Sequence, residues 1–219
     1  MNENLPSLLV HVRHTQPDER PGVADRDLPL SAHGKHHIRE IAWEMYRQFG
    51  AFDCVFYSQF RRSHDVAREI VAPYTEPQRN MTCFIEAPLL NERNRGGAFG
   101  LTEEEIAERF PEFAQSLRKP FGEIRERYPN GENLWRVLFR VSHFAEKELP
   151  MWTGKKICIS GHWGTALALR YALQNHSYAD LMRIMGTEHP PHGSLLVFEP
   201  ENGRMVLREK NLLYEKQSA

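Results

Sequence analysis

The chain has 219 residues, of which 41% are hydrophobic and 26% charged, and a net charge of −1. That is enough for one globular domain with a full core and a cap insertion. The near-neutral balance excludes a whole-surface affinity for nucleic acid or anionic membrane, so anion binding has to come from local arginine clusters. Cys54, Cys83 and Cys158 are far apart and odd in number, and no Cys-x-x-Cys pair exists, which argues against a zinc ribbon or a disulfide framework. The start, Met1-Asn2-Glu3-Asn4, has neither a basic region nor a long apolar run, and no stretch approaches membrane-spanning length. A cytoplasmic setting is expected.

Residues 7–12 are short, apolar and followed by a polar turn, which predicts a buried strand. A charged loop with Gly22 follows from Pro17 to Pro29. Ser31 is placed to cap a helix carrying Ile38, Ile41, Ala42, Met45 and Phe49, with Gly50 as its stop. Residues 53–57 predict a second strand, and 62–72 a helix ended by Pro73. Cys83–Glu86 predicts a short strand. Thr102 and Glu105 form a capping box for a short helix closed by Pro111. Residues 113–130 are polar and Arg-rich, with two prolines, and read as a lid rather than core. A long amphipathic helix is predicted over 131–149, a strand over 156–160, a buried helix over 165–173, and a helix capped by Ser177 running through Met185. Two strands, 194–199 and 205–208, flank an Asn202-Gly203 hairpin turn. This alternation predicts an α/β fold of three-layer α/β/α architecture with a mainly parallel central sheet. It forms one domain over 1–219, with a lid or cap insertion at about 96–130.

Two histidines come straight off apolar runs: Arg13-His14 after Leu8–Val12, and His162 after Ile157-Cys158-Ile159-Ser160-Gly161. Open α/β sheets build their sites at the carboxyl ends of strands, so the two junctions suggest a shared anion pocket. A histidine there can act as a nucleophile rather than as a metal ligand. His33, His36 and His37 look like a metal cluster, but successive helical residues point apart, and a solvated helix face is the expected reading. His11 alternates away from His14 and reads as a buried packing residue. His189-Pro190-Pro191-His192 reads as a turn.

Six segments stand in order along the chain: Val12-Arg13-His14-Thr15-Gln16, Pro29-Leu30-Ser31-Ala32-His33-Gly34-Lys35, Ser58-Gln59-Phe60-Arg61-Arg62, Leu90-Asn91-Glu92-Arg93, Tyr128-Pro129-Asn130-Gly131-Glu132-Asn133 and Ser160-Gly161-His162. Together they resemble the motifs of the histidine phosphatase, or phosphoglycerate-mutase-like, superfamily. The resemblance spans about residues 8–208 and leans toward the fructose-2,6-bisphosphatase and broad-specificity phosphatase branch. It implies a phosphoglycerate-mutase-like fold and assigns the site. On that resemblance His14 is expected to be the nucleophile and Glu92 the proton donor and acceptor, with Arg13, Arg62 and His162 holding the phosphoryl group. Arg61 is the alternative to Arg62, and pairing with Arg93 or Arg95 is the alternative role for Glu92. His192 falls where the family often lines its pocket. The family has glycine after each histidine; here Thr15 and Trp163 stand there and are expected to bind substrate, Thr15 through its hydroxyl and Trp163 as pocket wall.

A phosphomonoester dianion needs charge stabilisation on its oxygens, an in-line nucleophile and a proton for the leaving oxygen. Two guanidinium forks and an imidazole can supply the first without a metal, so no cofactor is expected. Glu92 must carry a proton when substrate is bound, which calls for partial burial or the phosphate's own charge. The expected function is a metal-independent phosphomonoester hydrolase acting through a phosphohistidine on a small phosphorylated metabolite. A phosphoglycerate mutase and a non-catalytic phospholigand-binding module are the alternatives. Arg118, Lys119, Arg125 and Arg127 are read either as lid contacts to a distal phosphate or as a solvated face. No nucleic-acid or membrane partner is expected, and a homodimer is compatible with the sequence.

Overall fold

The computed structural model describes residues 4–20, 22–188 and 190–210. Six strands form one sheet: β1 (Leu8–Arg13), β2 (Cys54–Tyr57), β3 (Cys83–Glu86), β4 (Lys156–Gly161), β5 (Leu195–Glu201) and β6 (Arg204–Lys210). Their order is β3-β2-β4-β1-β5-β6. The pairs β2–β3, β2–β4 and β1–β4 are parallel, while β5 runs antiparallel to β1 and β6 antiparallel to β5. Asn202 and Gly203 both have positive φ, 51° and 77°, as a two-residue turn between β5 and β6 requires.

β1 and β4 read as unbroken apolar runs because both faces are covered. Leu9, Ile157 and Ile159 join Leu134, Val137, Val141 and Leu167 in one core, under α7 (Leu134–Lys147) and α8 (Trp163–Gln174). Val10, Val12, Val55 and Cys158 join Ile38, Ile41, Val66 and Ile70 in the other, under α1 (Ala32–Phe49) and α2 (Arg61–Ile70). The period-two alternation of β1 thus sorts its side chains into two helix layers. At the edge β3 departs from this pattern: Cys83 is exposed and Phe84 is 38% accessible.

Several boundaries differ from expectation for local reasons. The helix expected from 131 starts at Leu134, because the Asn133 side chain accepts the Arg136 N–H at 3.0 Å and caps it. Gly131 belongs to the preceding turn, donating its N–H to the Tyr128 carbonyl at 2.8 Å. α8 begins at Trp163 rather than at 165, with His162 in extended conformation as its N-cap. Pro111 does more than close α4 (Glu103–Arg109), since it also opens α5 (Pro111–Leu117). The short helix α3 (Glu76–Met81), capped by Thr75 and Gln78, was not anticipated. In the insertion at about 96–130, Ala98, Ile106 and Tyr128 form a small separate cluster with Phe113. Ile124, on α6 (Gly122–Arg125), is fully buried in the α7/α8 core, so that part of the segment is not peripheral. α9 (Tyr178–Thr187) completes the helices. Among the described residues no helix is long and apolar enough to cross a membrane.

α1 is held hard against the loop that leaves β1. The Ser31 N–H donates to the Gln16 carbonyl at 3.0 Å, and a Cβ at Gly34 would lie 2.2 Å from that same oxygen. Gly34→Ala is therefore expected to lower stability by about 1–3 kcal/mol, read from the denaturant midpoint. An unchanged midpoint would contradict this close approach.

Candidate active site

The carboxyl ends of β1, β2 and β4 lie at one end of the sheet and bring His14, Arg62 and His162 together, while Glu92 arrives from the segment after β3. The His14 N–H donates to the Gly161 carbonyl at 3.0 Å, which fixes the end of β1 to the end of β4. The His14 ring lies 5.2 Å from that of His162, edge to face. His14 Nδ1 is 2.8 Å from the Thr15 carbonyl. A carbonyl can only accept, so Nδ1 carries the proton and Nε2 keeps its lone pair. The Arg62 Nε–H donates to that lone pair at 3.1 Å. Arg62 is buried in the first turn of α2 and stacks over Phe60, 4.7 Å from the ring centroid. Arg61 is exposed, so the choice between the two arginines falls to Arg62.

Asp25 is a neighbour the sequence did not announce. Arg62 Nη1 pairs with its carboxylate at 2.8 Å and donates to its carbonyl at 2.6 Å. The contact crosses from a loop with no periodic pattern, so sequence offered no signal for it. Arg62 Nη2 has no partner among the described residues. Arg13 is half-buried; its Nη1 donates to the Pro190 carbonyl, and its buried Nε has no partner among the described residues.

Both oxygens of Glu92 accept main-chain N–H groups: Oε1 from Arg93 at 2.7 Å and Oε2 from Gly164 at 3.2 Å. Pairing with Arg93 as a surface ion pair is thus not its arrangement. Gly164 is required here, because a Cβ there would lie 2.3 Å from Oε1. Arg140 on α7 ties the strand-to-Glu92 segment down, donating to the carbonyls of Leu89 at 2.6 Å and Glu92 at 3.2 Å and pairing with Glu132. Gly164 and Arg140 were both missed; only the Gly-His-Trp-Gly run hinted at the first.

His14, Arg13, Arg62, Glu92 and Trp163 line a common cavity of about 260 Å³, with Asp25, Arg95 and His192. A groove of about 690 Å³ leaves it past Glu92 and Asp25, lined by Arg127, Arg136 and Arg140. Another of about 730 Å³ leaves past Glu19 and His192, lined by His33, His36 and His37. Of the four basic lid residues, Arg127 lines a groove, whereas Arg118, Lys119 and Arg125 are exposed elsewhere. His33 and His37 are one turn apart on α1 and share a face, with ring centroids at 6.2 Å. Among the described residues no group of three His, Cys, Asp or Glu could hold a metal ion. Pro190 and Pro191 lie in the loop before β5, and His189 lies outside the described residues.

Thr15 corrects an expectation. It is fully buried, and its hydroxyl donates to the Gly34 carbonyl at 2.8 Å, so it faces α1 rather than the cavity. His162 is also fully buried and does not line the cavity; its Nε2 and Ser58 Oγ share a 2.7 Å hydrogen bond, and its Nδ1 has no partner among the described residues. Burial, then the Arg62 charge, holds both His14 and His162 well below the ordinary value of 6.5. His11 is buried as expected, and burial followed by the Arg13 charge presses it down to about 3.

These three rings make stability pH-dependent with a definite sign. Above pH 6.5 both folded and unfolded chains keep them neutral, and their contribution is fully present. As pH falls below that value the unfolded chain takes up protons the folded one refuses. Stability then drops by about 1.4 kcal/mol per pH unit for each ring. Denaturant midpoints are expected to fall between about pH 7 and about pH 5; a flat profile would contradict neutral burial of the three rings.

The sequence profile of the histidine phosphatase superfamily (branch 1) matches residues 9–212. The chain is 26% identical over 219 residues to a 2,3-bisphosphoglycerate-dependent phosphoglycerate mutase of Parvibaculum lavamentivorans, covering 98% of this chain and 100% of that one. It is 30% identical over 186 residues to the enzyme of that name from Cytophaga hutchinsonii, covering 81% and 82%. Among solved structures it is similar to the alpha-ribazole phosphatase of Shigella flexneri, with a TM-score of 0.76 at 18% identity over 93% of this chain and 96% of that one. It is also similar to a mycobacterial glucosyl-3-phosphoglycerate phosphatase, with a TM-score of 0.71 at 22% identity over 94% and 98%. The structural likenesses speak to the fold, and the profile speaks to descent. The chain belongs to the histidine phosphatase superfamily, branch 1.

Proposed function

We propose that the protein is a metal-independent phosphomonoester hydrolase that works through a phosphohistidine on His14 and acts on a small phosphorylated metabolite. The observation that carries this is the state of His14: a neutral ring with its Nδ1 proton committed to Thr15 and its Nε2 lone pair held at a cavity beside two guanidinium groups. His14 Nε2 attacks phosphorus while the bond to the leaving oxygen breaks. Arg13 and Arg62 take the charge on the non-bridging oxygens, and His162 backs the His14 ring. Glu92 gives its proton to the leaving alcohol. A water then attacks, Glu92 takes its proton, the N–P bond breaks and inorganic phosphate leaves. The groove past Glu92, with Arg127 and Arg136, receives the leaving group, and Trp163 walls the cavity.

Phosphoglycerate mutase activity is the second reading, favoured by the names of the curated relatives. A mutase keeps its phosphoryl group from water and passes it to another hydroxyl. Here the His14 cavity shares Asp25 and Glu92 with one groove and Glu19 and His192 with another, an open arrangement that supports access of water and so hydrolysis.

The wild-type protein, assayed in EDTA against a panel of phosphorylated metabolites, is expected to release phosphate and to carry acid-labile phosphate; His14→Ala should do neither. Release that depends on 2,3-bisphosphoglycerate or a second hydroxyl acceptor would favour the mutase. Wild-type rates in His14→Ala would remove His14 from the chemistry. Arg62→Lys keeps a charge but loses the fork, and is expected to lower kcat/KM by about 100-fold. An unchanged kcat/KM would contradict the role given to Arg62.

A further inference from the structure

His192 has no task in the chemistry above, yet its ring centroid lies 5.1 Å from that of the nucleophile. It is half-buried and lines the His14 cavity, which the fully enclosed His162 does not. Its ring nitrogens have no hydrogen-bond partner among the described residues.

The position is built rather than incidental. The Arg13 N–H donates to the Ser194 carbonyl at 2.9 Å, and the Gly193 N–H donates to the Arg13 carbonyl at 3.1 Å. The Arg13 guanidinium clasps the Pro190 carbonyl from the other side. Gly193 has φ +83°, and a Cβ there would lie 2.7 Å from Ile41 Cδ1 and 3.0 Å from His37 Cε1. Glycine alone lets this loop sink against α1, and the sunken loop carries His192 over His14. The same ring forms the shared wall between the cavity and the groove lined by His33 and His37.

Burial, then the charges of Arg13 and Arg62, then His37, hold His192 down to about 4. The ring is therefore neutral at ordinary pH, with one N–H and one lone pair. A neutral donor adds a hydrogen bond to the phosphoryl oxygens without placing a third cation beside two guanidinium groups.

We propose that His192 is a further catalytic residue, whose imidazole N–H donates to a non-bridging oxygen of the phosphoryl group in the cavity that it shares with His14. This rests on the phosphohistidine reading of His14.

The test uses inorganic vanadate as the probe of the pentacoordinate state, with turnover measured beside it. His192→Phe keeps a ring and removes the N–H; His192→Asn restores a side-chain N–H. The Phe variant is expected to lose about 10- to 100-fold in vanadate inhibition and in kcat/KM, as for one charge-assisted donor. The Asn variant should recover most of that loss, and both should still acquire acid-labile phosphate. Wild-type vanadate inhibition and turnover in the Phe variant would overturn the proposal, as would a loss that Asn does not recover. A wild-type protein that never carries acid-labile phosphate would overturn the phosphohistidine reading itself and this proposal with it, a result distinct from an inert His192 in an active enzyme.

Discussion

The hydrogen bond from His14 Nδ1 to the carbonyl of its own neighbour, Thr15, is the constraint on which the site depends. It decides the tautomer, and the tautomer decides everything else. With the proton spent on Nδ1, Nε2 is left as a lone pair, and the Arg62 Nε–H can meet it at 3.1 Å only because it is one. Burial and the Arg62 charge then keep the ring from taking a second proton. A buried imidazole without that carbonyl would be free to turn either nitrogen to the cavity, and the arginine beside it would have nothing to approach.

The bond itself depends on how tightly the chain leaves β1. Thr15 is buried and gives its hydroxyl to Gly34, so the segment after His14 is pinned to the first turn of α1. Gly161 accepts the His14 N–H, which ties the same segment to the end of β4. Three glycines, Gly34, Gly164 and Gly193, each stand where a Cβ would strike a carbonyl, the Glu92 carboxylate or an α1 side chain. Their work is to let separate elements converge within hydrogen-bond reach, which a helix-bearing sheet edge does not otherwise allow.

The architecture was legible because it depends on local patterns. The double-sided apolar runs of β1 and β4, the Ser31 cap and the Asn202-Gly203 turn each announced an element, and each is present. The junction histidines were legible for the same reason, since strand ends converge in a sheet of this topology. Contacts between helix side chains and connecting segments were not. Asp25 reaches Arg62, and Arg140 reaches the Glu92 segment, across long sequence separations with no period to betray them. Thr15 was misread because a hydroxyl next to a phosphate motif invites a ligand contact, whereas the helix carbonyl beside it took the bond first. His162 lies beside the His14 ring, but its full enclosure, which keeps it out of the cavity, and its bond to Ser58 follow from packing that no motif encodes.

The most direct test of the account is nitrogen-resolved NMR of the His14 ring in the substrate-free protein, assigned against His14→Ala. The account predicts a ring protonated at Nδ1 alone, with Nε2 bare, at neutral pH and still so at about pH 5. A ring protonated at Nε2 instead, or one that titrates near its ordinary value of 6.5, would contradict it.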